Sequence, residues 1–504
     1  MPFNSIFGWI MKKRIHQIDL FRKYPVEVQA ELFEKLMSNG SFSEWGKRYD
    51  FKSIEFYRQF QERVPLQTYD DVKPWIDRTI AGEQGLLWPT DTKWFAKSSG
   101  TTSDRSKLIP VTRDSLEECH QKGGKDLLAL YYENNPTGRL YSYKHMVVGG
   151  SAEVNPMSED SYTGDLSAII MKNLPWWAEI RRTPSREIAL MNEWEEKIER
   201  MARTTMNEDI GLLVGVPSWT MVIANRILEI TGKSNLKEVW PNLECFMHGG
   251  VSFDPYREEF KKLIPDSSMN YVESYNASEG FFGIQDQKGK SDLLLMLDYG
   301  IFYEFIPMED FDGVHSKKTI LLGDVEIGKQ YAIVISTNGG LWRYIVGDTI
   351  AFSEKYPFRF HVTGRTKSFI NAFGEELIVD NAEKAVAYAS LMTQSQVRDY
   401  TACPVFMTDT NLGGHEWLFE FVTEPTCFGD FLKHLDTKLR EINSDYDAKR
   451  TKDLAMVFPK GEVLPAGSFD QWLKSKGKLG GQNKIPRLSN TREILEQIVQ
   501  GVTV

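Results

Sequence analysis

Short apolar, strand-like runs alternate with segments of helical periodicity through the first part of this chain. No other feature limits the fold as firmly, because strands separated by helices point to an α/β architecture. The runs cover 145–148, 210–214, 244–247, 293–297, 319–322 and 331–336, and helical patterns over 193–201 and 218–230 lie between the earlier ones. From 293 to 362 strands and turns are denser, which predicts antiparallel hairpins attached to the α/β core. Upstream, 15–36 and 53–63 repeat apolar residues at three- and four-residue spacing, 114–132 suits a helix, and Trp94-Phe95-Ala96 reads as a short strand.

The pattern breaks near Gly364-Arg365-Thr366-Lys367. Beyond it, 381–389, 427–443 and 492–499 read as helices, and 403–407 and 415–422 as strands. The 504 residues exceed the ~150 of an average domain about threefold. They divide into a large N-terminal domain of mixed sheets and helices, 1–365, and a smaller α+β domain, 366–504.

Charge and cysteine usage narrow the function. With 60 Lys and Arg against 70 Asp and Glu, the net charge of −10 gives no field for a phosphate backbone, so no nucleic-acid partner is expected. The four cysteines, Cys119, Cys245, Cys403 and Cys427, form no CxxC pair and suggest neither a zinc cluster nor a disulfide framework. Apolar runs fall far short of the ~18–20 residues of a membrane span. The apolar segment 6–11 precedes its basic cluster (Lys12, Lys13, Arg14), the reverse of a secretory signal. A monomeric cytoplasmic protein with no membrane partner is expected.

The most informative segment is Lys97-Ser98-Ser99-Gly100-Thr101-Thr102-Ser103-Asp104-Arg105-Ser106-Lys107. Hydroxyl side chains and successive backbone N–H groups around a glycine can wrap a polyphosphate, and Lys107 can add a positive charge. Taken alone, the same composition also suits an ordinary solvated loop. Other motifs fail. Gly40 to Lys47 has one residue too many for a Walker loop and ends on Arg48, and there is no GxGxxG, GxSxG or HExxH. The eight histidines are scattered, so metal-ligand spacing is missing, and His248 reads as a satisfied core or turn histidine.

Five further segments follow in order. His248-Gly249-Gly250-Val251 ends a strand, where glycines can admit a flat ring at the ligand-binding edge of an α/β sheet. Tyr271 to Gly280 presents an aromatic face, a small hydroxyl and a carboxylate in Tyr275, Ser278 and Glu279. Trp342 to Asp348 reads as a strand ending on Gly347-Asp348, and an aspartate there can accept hydrogen bonds from ribose hydroxyls. Gly364-Arg365 and Gln482-Asn483-Lys484-Ile485-Pro486-Arg487 complete the series. Leu412-Gly413-Gly414-His415-Glu416 imitates a phosphopantetheine attachment site, but Glu416 stands where a serine is required, so it reads as a chance turn.

With these segments in this order, the chain resembles the auxin-responsive promoter family of acyl acid amido synthetases. These are plant enzymes of the adenylate-forming superfamily that join jasmonate, indole-acetate or benzoates to amino acids. The likeness runs from the helical start to Lys484. Ser98 to Thr102 matches the phosphate loop, Tyr275 to Glu279 the Tyr-Gly-Ser-Ser-Glu-like motif and Tyr344 to Asp348 the Tyr-Arg-x-Gly-Asp-like motif. Gly364 to Lys367 matches the hinge, and Lys484 to Arg487 the C-terminal Lys-x-Pro-Arg. Asn276 and Ala277 depart from the usual Gly/Ser pair, and Asn483 stands before the lysine.

The resemblance implies an ATP- and Mg²⁺-dependent ligase. A small carboxylic acid is adenylated with release of pyrophosphate, and an amine, expected to be an amino acid, then takes the acyl group. Ser98, Ser99, Gly100, Thr101, Thr102 and Lys107 would hold the phosphates, and Glu279 the Mg²⁺. Gly249, Gly250 and Tyr275 would frame adenine, with Ser278 near the α-phosphate. Asp348 and Arg365 would fix the ribose. Lys367 would be the hinge of a mobile C-terminal domain, which delivers Lys484 to the charge growing on the α-phosphate. For the acid, Val216, Trp219, Phe281, Phe282 and Tyr303 are candidates for a small hydrophobic cleft. An acyl-CoA ligase or other thioester-forming adenylase, and a non-catalytic nucleotide-binding scaffold, are the alternatives.

Overall fold

The structure, a computed structural model, describes residues 2–98, 107–149, 155–157, 161–191, 193–251, 253, 256–366, 369–408, 412–453, 455–475 and 485–502. In chain order the strands of the first half are β1 (Trp94–Ser98), β2 (Lys107–Val111), β3 (Lys144–Val148), β4 (Asn155–Pro156), β5 (Tyr162–Asp165), β6 (Arg182–Thr183), β7 (Ile210–Gly215), β8 (Cys245–Gly249) and β9 (Asn270–Ala277). Those of the second half are β10 (Gly280–Ile284), β11 (Leu293–Leu295), β12 (Ile301–Pro307), β13 (Gln330–Thr337), β14 (Tyr344–Glu354) and β15 (Arg359–Arg365). Eleven of them form one sheet in the order β12-β13-β14-β15-β11-β10-β9-β8-β7-β3-β6. Neighbours from β6 to β9 pair in parallel, and those from β9 onward to β12 pair antiparallel. The two predicted regimes are therefore halves of one sheet, which change over at the turn between β9 and β10. A smaller sheet, β2-β1-β5-β4, stands beside it.

Local chemistry explains the elements. β7 reads Ile-Gly-Leu-Leu-Val-Gly, and its first four residues are buried, as a parallel strand covered on both faces requires. The helix Trp194–Thr205 that precedes it buries Trp194, Ile198, Met201, Ala202 and Thr205, one stripe at helical spacing. The helix Pro217–Thr231 that follows begins with proline in its first turn and stops at Gly232, whose φ of 65° is left-handed. The helix expected over 15–36 is two, Pro2–Lys23 and Pro25–Gly40, because Pro25 has no N–H to continue the first. Residues 319–322 form no strand. Ile320 makes a single bridge to Phe305 before the chain turns through Leu322–Asp324. The strand expected to end on Gly347-Asp348 runs on to Glu354.

Beyond β15 lie β16 (Phe369–Ile370), β17 (Leu377–Ile378), β18 (Gln396–Val405), β19 (Gly414–Thr423) and β20 (Lys460–Val463). The helices Val379–Thr393 and Phe428–Ile442 belong to this smaller α+β unit. The resemblance to a phosphopantetheine site falls where β19 begins, and His415 there bonds Glu375 at 2.8 Å with both side chains buried. The unit shares a hydrophobic core with the parallel half of the large sheet, and the Tyr256 hydroxyl donates to the Ala372 carbonyl at 2.5 Å. Among the described residues no helix is long and apolar enough to cross a membrane.

One buried ion pair anchors the strand that carries Asp348. Arg343, at a φ of 45°, donates to Glu304 on β12 at 2.9 Å and to the carbonyls of Gln61 and Val64 at 3.1 and 2.7 Å. Glu304 also accepts from Tyr57 at 2.8 Å and Thr319 at 2.6 Å. R343M strands a fully buried carboxylate and is expected to destabilise by about 3–5 kcal/mol. Urea unfolding should show R343M/E304M recovering part of that loss; a double variant no better than R343M would mean that packing, not charge, sets the cost.

Candidate functional site

A cavity of about 1380 Å³ opens where the parallel and antiparallel halves of the sheet meet the smaller C-terminal unit. It is larger than the ~300–1000 Å³ of a typical single-ligand pocket. Its floor is the sheet face carrying His145, Val147, Leu212, Val214 and Met247. The register brings His145 beside Leu212, and Val147 beside Val214 and Met247.

Five of the sequence motifs converge on its rim. Ser98 and Lys107 face each other across the β1–β2 ladder, and both line the cavity. Ser99, Gly100, Thr101 and Thr102 lie outside the described residues, as do Lys367 and Lys484. Ser278 and Glu279 form the tight turn between Ala277 and Gly280, and the Ser278 hydroxyl donates to the Lys97 carbonyl at 3.4 Å. That bond ties the turn to the start of the serine- and threonine-rich loop. Burial pushes the Glu279 carboxyl up, and the charge of Lys107 opposes the shift. Among the described residues no cluster of three or more His, Cys, Asp or Glu is arranged to hold a metal.

Asp348 is held from two sides. The Tyr275 hydroxyl donates to its Oδ2, and Arg365, directly opposite on β15, donates from Nε to Oδ1 at 2.7 Å. Arg365 in turn pairs with Glu376 at 3.4 Å and covers the Phe369 ring at 4.9 Å. Burial pushes the Glu376 carboxyl up to about 7, against the pull of Arg365. The glycines at the end of β8 are sterically required. A Cβ on Gly249 would lie 2.3 Å from the Ser274 carbonyl, and Gly250 has a φ of 83°. Asn371 of the C-terminal unit donates to the Gly250 carbonyl at 3.3 Å.

The acyl-cleft expectation divides. Val216 and Trp219 line the cavity, and Trp219 is stacked on Trp194 at 3.6 Å. Phe281, Phe282 and Tyr303 do not line it and sit in the core. Phe281 packs on Gly123 and Tyr299, Phe282 meets Tyr275 at 4.9 Å, and the Tyr303 hydroxyl donates to the Met296 carbonyl at 3.1 Å. β10 is buried along its whole length, so its aromatics have no open face to offer a ligand.

His248 is a core histidine, as expected, but an unsatisfied one. Both ring nitrogens lack a partner among the described residues, the ring stacks on Phe253 at 4.0 Å, and burial lowers its pKa to about 3. Cavity residues that the motifs did not reveal include His120, His145, Asp165, Glu376, Asp445 and Lys449. Asp165 sits beside Lys97 in the β1–β5 register, and burial together with nearby Asp445 raises its pKa to about 6. Lys449, on the C-terminal helix Ser444–Arg450, stands 5.7 Å from the Trp219 ring. None belongs to a spaced motif, so no local signal marked them.

Comparison with known proteins identifies the architecture first. The fold matches "AtGH3.15 acyl acid amido synthetase in complex with 2,4-DB" (TM-score 0.64, 18% identity, 98% of this chain and 96% of that one). It also matches 2-hydroxyisobutyryl-CoA ligase in complex with 2-HIB-AMP and CoA (TM-score 0.57, 12% identity, 96% and 94%). The fold is therefore that of adenylate-forming enzymes. The models of the GH3 family N-terminal, central and C-terminal domains match residues 14–269, 294–365 and 380–493, and the chain belongs to the GH3 family. Relatives from Arabidopsis thaliana include the indole-3-acetic acid-amido synthetase GH3.3, 23% identical over 93% of this chain and 90% of the relative. The 4-substituted benzoates-glutamate ligase GH3.12 is also 23% identical, over 93% and 94%.

The raised pKa of Glu376 makes a testable statement about pH. With a folded-state value of about 7 against an ordinary 4.5, the folded protein holds the extra proton between those limits, so this group's contribution to stability falls as pH rises through that window. E376Q mimics the protonated side chain. Melting temperatures of variant and parent should be close at pH 5, with the variant gaining on the parent as pH approaches 7.5. A constant gap would assign Glu376 an ordinary pKa.

Proposed function

We propose that the protein is an ATP-dependent acyl acid amido synthetase that acts through an acyl-adenylate. The observation that carries this reading is the seat of Asp348. It is fixed by Tyr275 and Arg365 at the rim of the large cavity, alongside Glu279, Ser278, Ser98, Lys107 and the Gly249-Gly250 edge. The GH3.3 relative is named as an amido synthetase and the GH3.12 relative as a ligase of benzoates to glutamate, which supports an amino acid as the acceptor.

In the first half-reaction a carboxylate oxygen attacks the α-phosphorus of ATP. The bond from that phosphorus to the bridging oxygen breaks, and pyrophosphate leaves. Two anions must approach each other, so the site has to neutralise charge and hold an in-line geometry. Ser98, the 99–102 loop and Lys107 hold the phosphates, and Ser278 stands at the α-phosphate. Asp348, an acceptor with both oxygens already oriented, takes the ribose hydroxyls, and Gly249 and Gly250 leave room for the adenine. Lys484 supplies positive charge to the transition state. Magnesium that arrives with ATP would be held by Glu279, since that ion takes one or two carboxylates plus substrate phosphates, and would neutralise phosphate charge there. In the second half-reaction the amine nitrogen attacks the acyl carbon, loses a proton, and AMP departs. The C-terminal domain, 366–504, turns about Lys367 between the two steps. The protein acts as a monomer in the cytoplasm.

ATP–pyrophosphate exchange across a panel of small carboxylic acids tests the reading. At least one acid should drive exchange, and failure of all would leave a nucleotide-binding scaffold. AMP release dependent on amino acids supports the amide product, and release dependent on coenzyme A instead would make the protein a thioester-forming ligase. D348A is expected to weaken ATP binding by about tenfold or more, read by calorimetry, since a charge-assisted bond is lost. K484A should leave ATP affinity in place and cut exchange severely; near-normal exchange would remove Lys484 from the chemistry.

A further inference from the structure

Of the substrates in the proposed reaction, ATP and the acid are anions, and only the acceptor amine arrives as a cation. The cavity nevertheless holds carboxyls that neither the nucleotide nor the acid calls for. Asp165 ends β5 and precedes the helix Leu166–Lys172, yet its side chain caps no helical N–H and it lines the cavity. That side chain makes no hydrogen bond or ion pair among the described residues. Burial, and after it the charge of Asp445, raises the Asp165 pKa to about 6 against the pull of Lys449, Lys97 and Lys197. A carboxyl in that state is short of a counter-charge.

The rest of the group comes from the C-terminal unit. Asp445 and Lys449 stand four residues apart on the helix Ser444–Arg450, a spacing at which opposite charges commonly pair. Here the two side chains make no ion pair or hydrogen bond with each other or with any other described residue, and both line the cavity. Lys449 reaches the first turn of the helix that follows β7, where it faces the Trp219 ring. Trp219 is backed by Trp194, and Lys197 stands 4.5 Å from the Trp194 ring while donating to the Gly149 carbonyl at 3.1 Å. That bond joins the wall to the carboxyl end of β3, the edge at which α/β sheets take ligands. The charge of Asp445 also raises the pKa of Glu376, so carboxyls of both units border the same space. Among the described residues no three carboxyls are arranged to hold a metal, so the cation that this wall suits is an organic one.

Two unpartnered carboxyls and an unpartnered lysine on one wall are the complement of a zwitterion. On the reading of the cavity as an acid-activating site, we propose that the acceptor amino acid docks between the two units, its ammonium on Asp165 and Asp445 and its carboxylate on Lys449. The subsite is complete only when the C-terminal unit brings Asp445 and Lys449 beside Asp165. To test it, each common amino acid and its carboxamide are offered to the full-length protein with ATP and an acid that drives ATP–pyrophosphate exchange, and AMP release is measured. For the best acceptor, the free amino acid is expected to exceed its carboxamide about tenfold or more in kcat/KM, the worth of one charge-assisted bond. K449M should bring the two within about twofold by raising KM for the free amino acid. D165N should lower kcat/KM for both about tenfold or more. Hydroxylamine, uncharged near neutral pH and without a carboxylate, should trap the acyl-adenylate within about twofold of the parent rate in both variants. Trapping that falls in step with amino acid turnover would make the residues merely structural and overturn the proposal. A carboxylate preference that survives in K449M overturns it too. Should D165N not fold, D445N, read in the same way, takes its place. Acid-driven exchange in a parent protein indifferent to the carboxamide overturns this inference alone. No exchange with any acid, or AMP release driven by coenzyme A and by no amino acid, overturns the reading it rests on as well.

Discussion

Asp348 is bonded by the Tyr275 hydroxyl on one oxygen and by Arg365 on the other, and this pair of bonds joins three separated stretches of chain at one point. Tyr275 comes from β9, the last parallel strand, while Asp348 and Arg365 sit opposite each other on antiparallel β14 and β15. Their meeting depends on the sheet changing regime between β9 and β10, since only there can a parallel strand's end face an antiparallel ladder. The buried Arg343–Glu304 pair fixes the start of β14, and Glu376 extends the network from Arg365 into the C-terminal unit. A carboxylate preoriented in this way pays little ordering entropy when it accepts a ligand's hydroxyls.

The net charge of −10 does not describe the cavity. Lys97, Lys107, Arg365 and Lys449 line it together with Asp165, Glu279, Asp348, Glu376 and Asp445, so the wall is charged but nearly balanced. Burial raises the pKa of Glu279, Glu376 and Asp165, which makes each carboxyl there hold its proton more readily than in water. A site of this kind gains most from a ligand that brings its own charge of both signs. By contrast, burial lowers the pKa of His120 and His145, which also line the cavity, to about 4.

Much of this was legible from residue pattern. The apolar runs at 145–148 and 210–214 gave the parallel strands because burial on both faces leaves a continuous apolar signature. Ser98, Lys107, Glu279, Asp348 and Arg365 were singled out because each stands in a motif whose spacing carries chemistry, and all five line the cavity. The aromatic residues misled for a physical reason. Phe281, Phe282 and Tyr303 lie on strands buried on both faces, where no alternation separates a cavity wall from a core. His120 and His145 were invisible as cavity residues for a related reason: neither stands in a spaced motif, and the fold alone brings the Asn276 amide and the Leu140 carbonyl to their rings. The split at Pro25 was available in the sequence, and the apolar spacing across it obscured it.

The central claim is that a carboxylate attacks the α-phosphorus of ATP in this cavity. Turnover with an acid whose carboxylate is labelled with oxygen-18, followed by mass spectrometry of the nucleotide product, tests it most directly. An acyl-adenylate route places one labelled oxygen in the phosphate of AMP. Unlabelled AMP, or label in inorganic phosphate with ADP as product, would contradict the account.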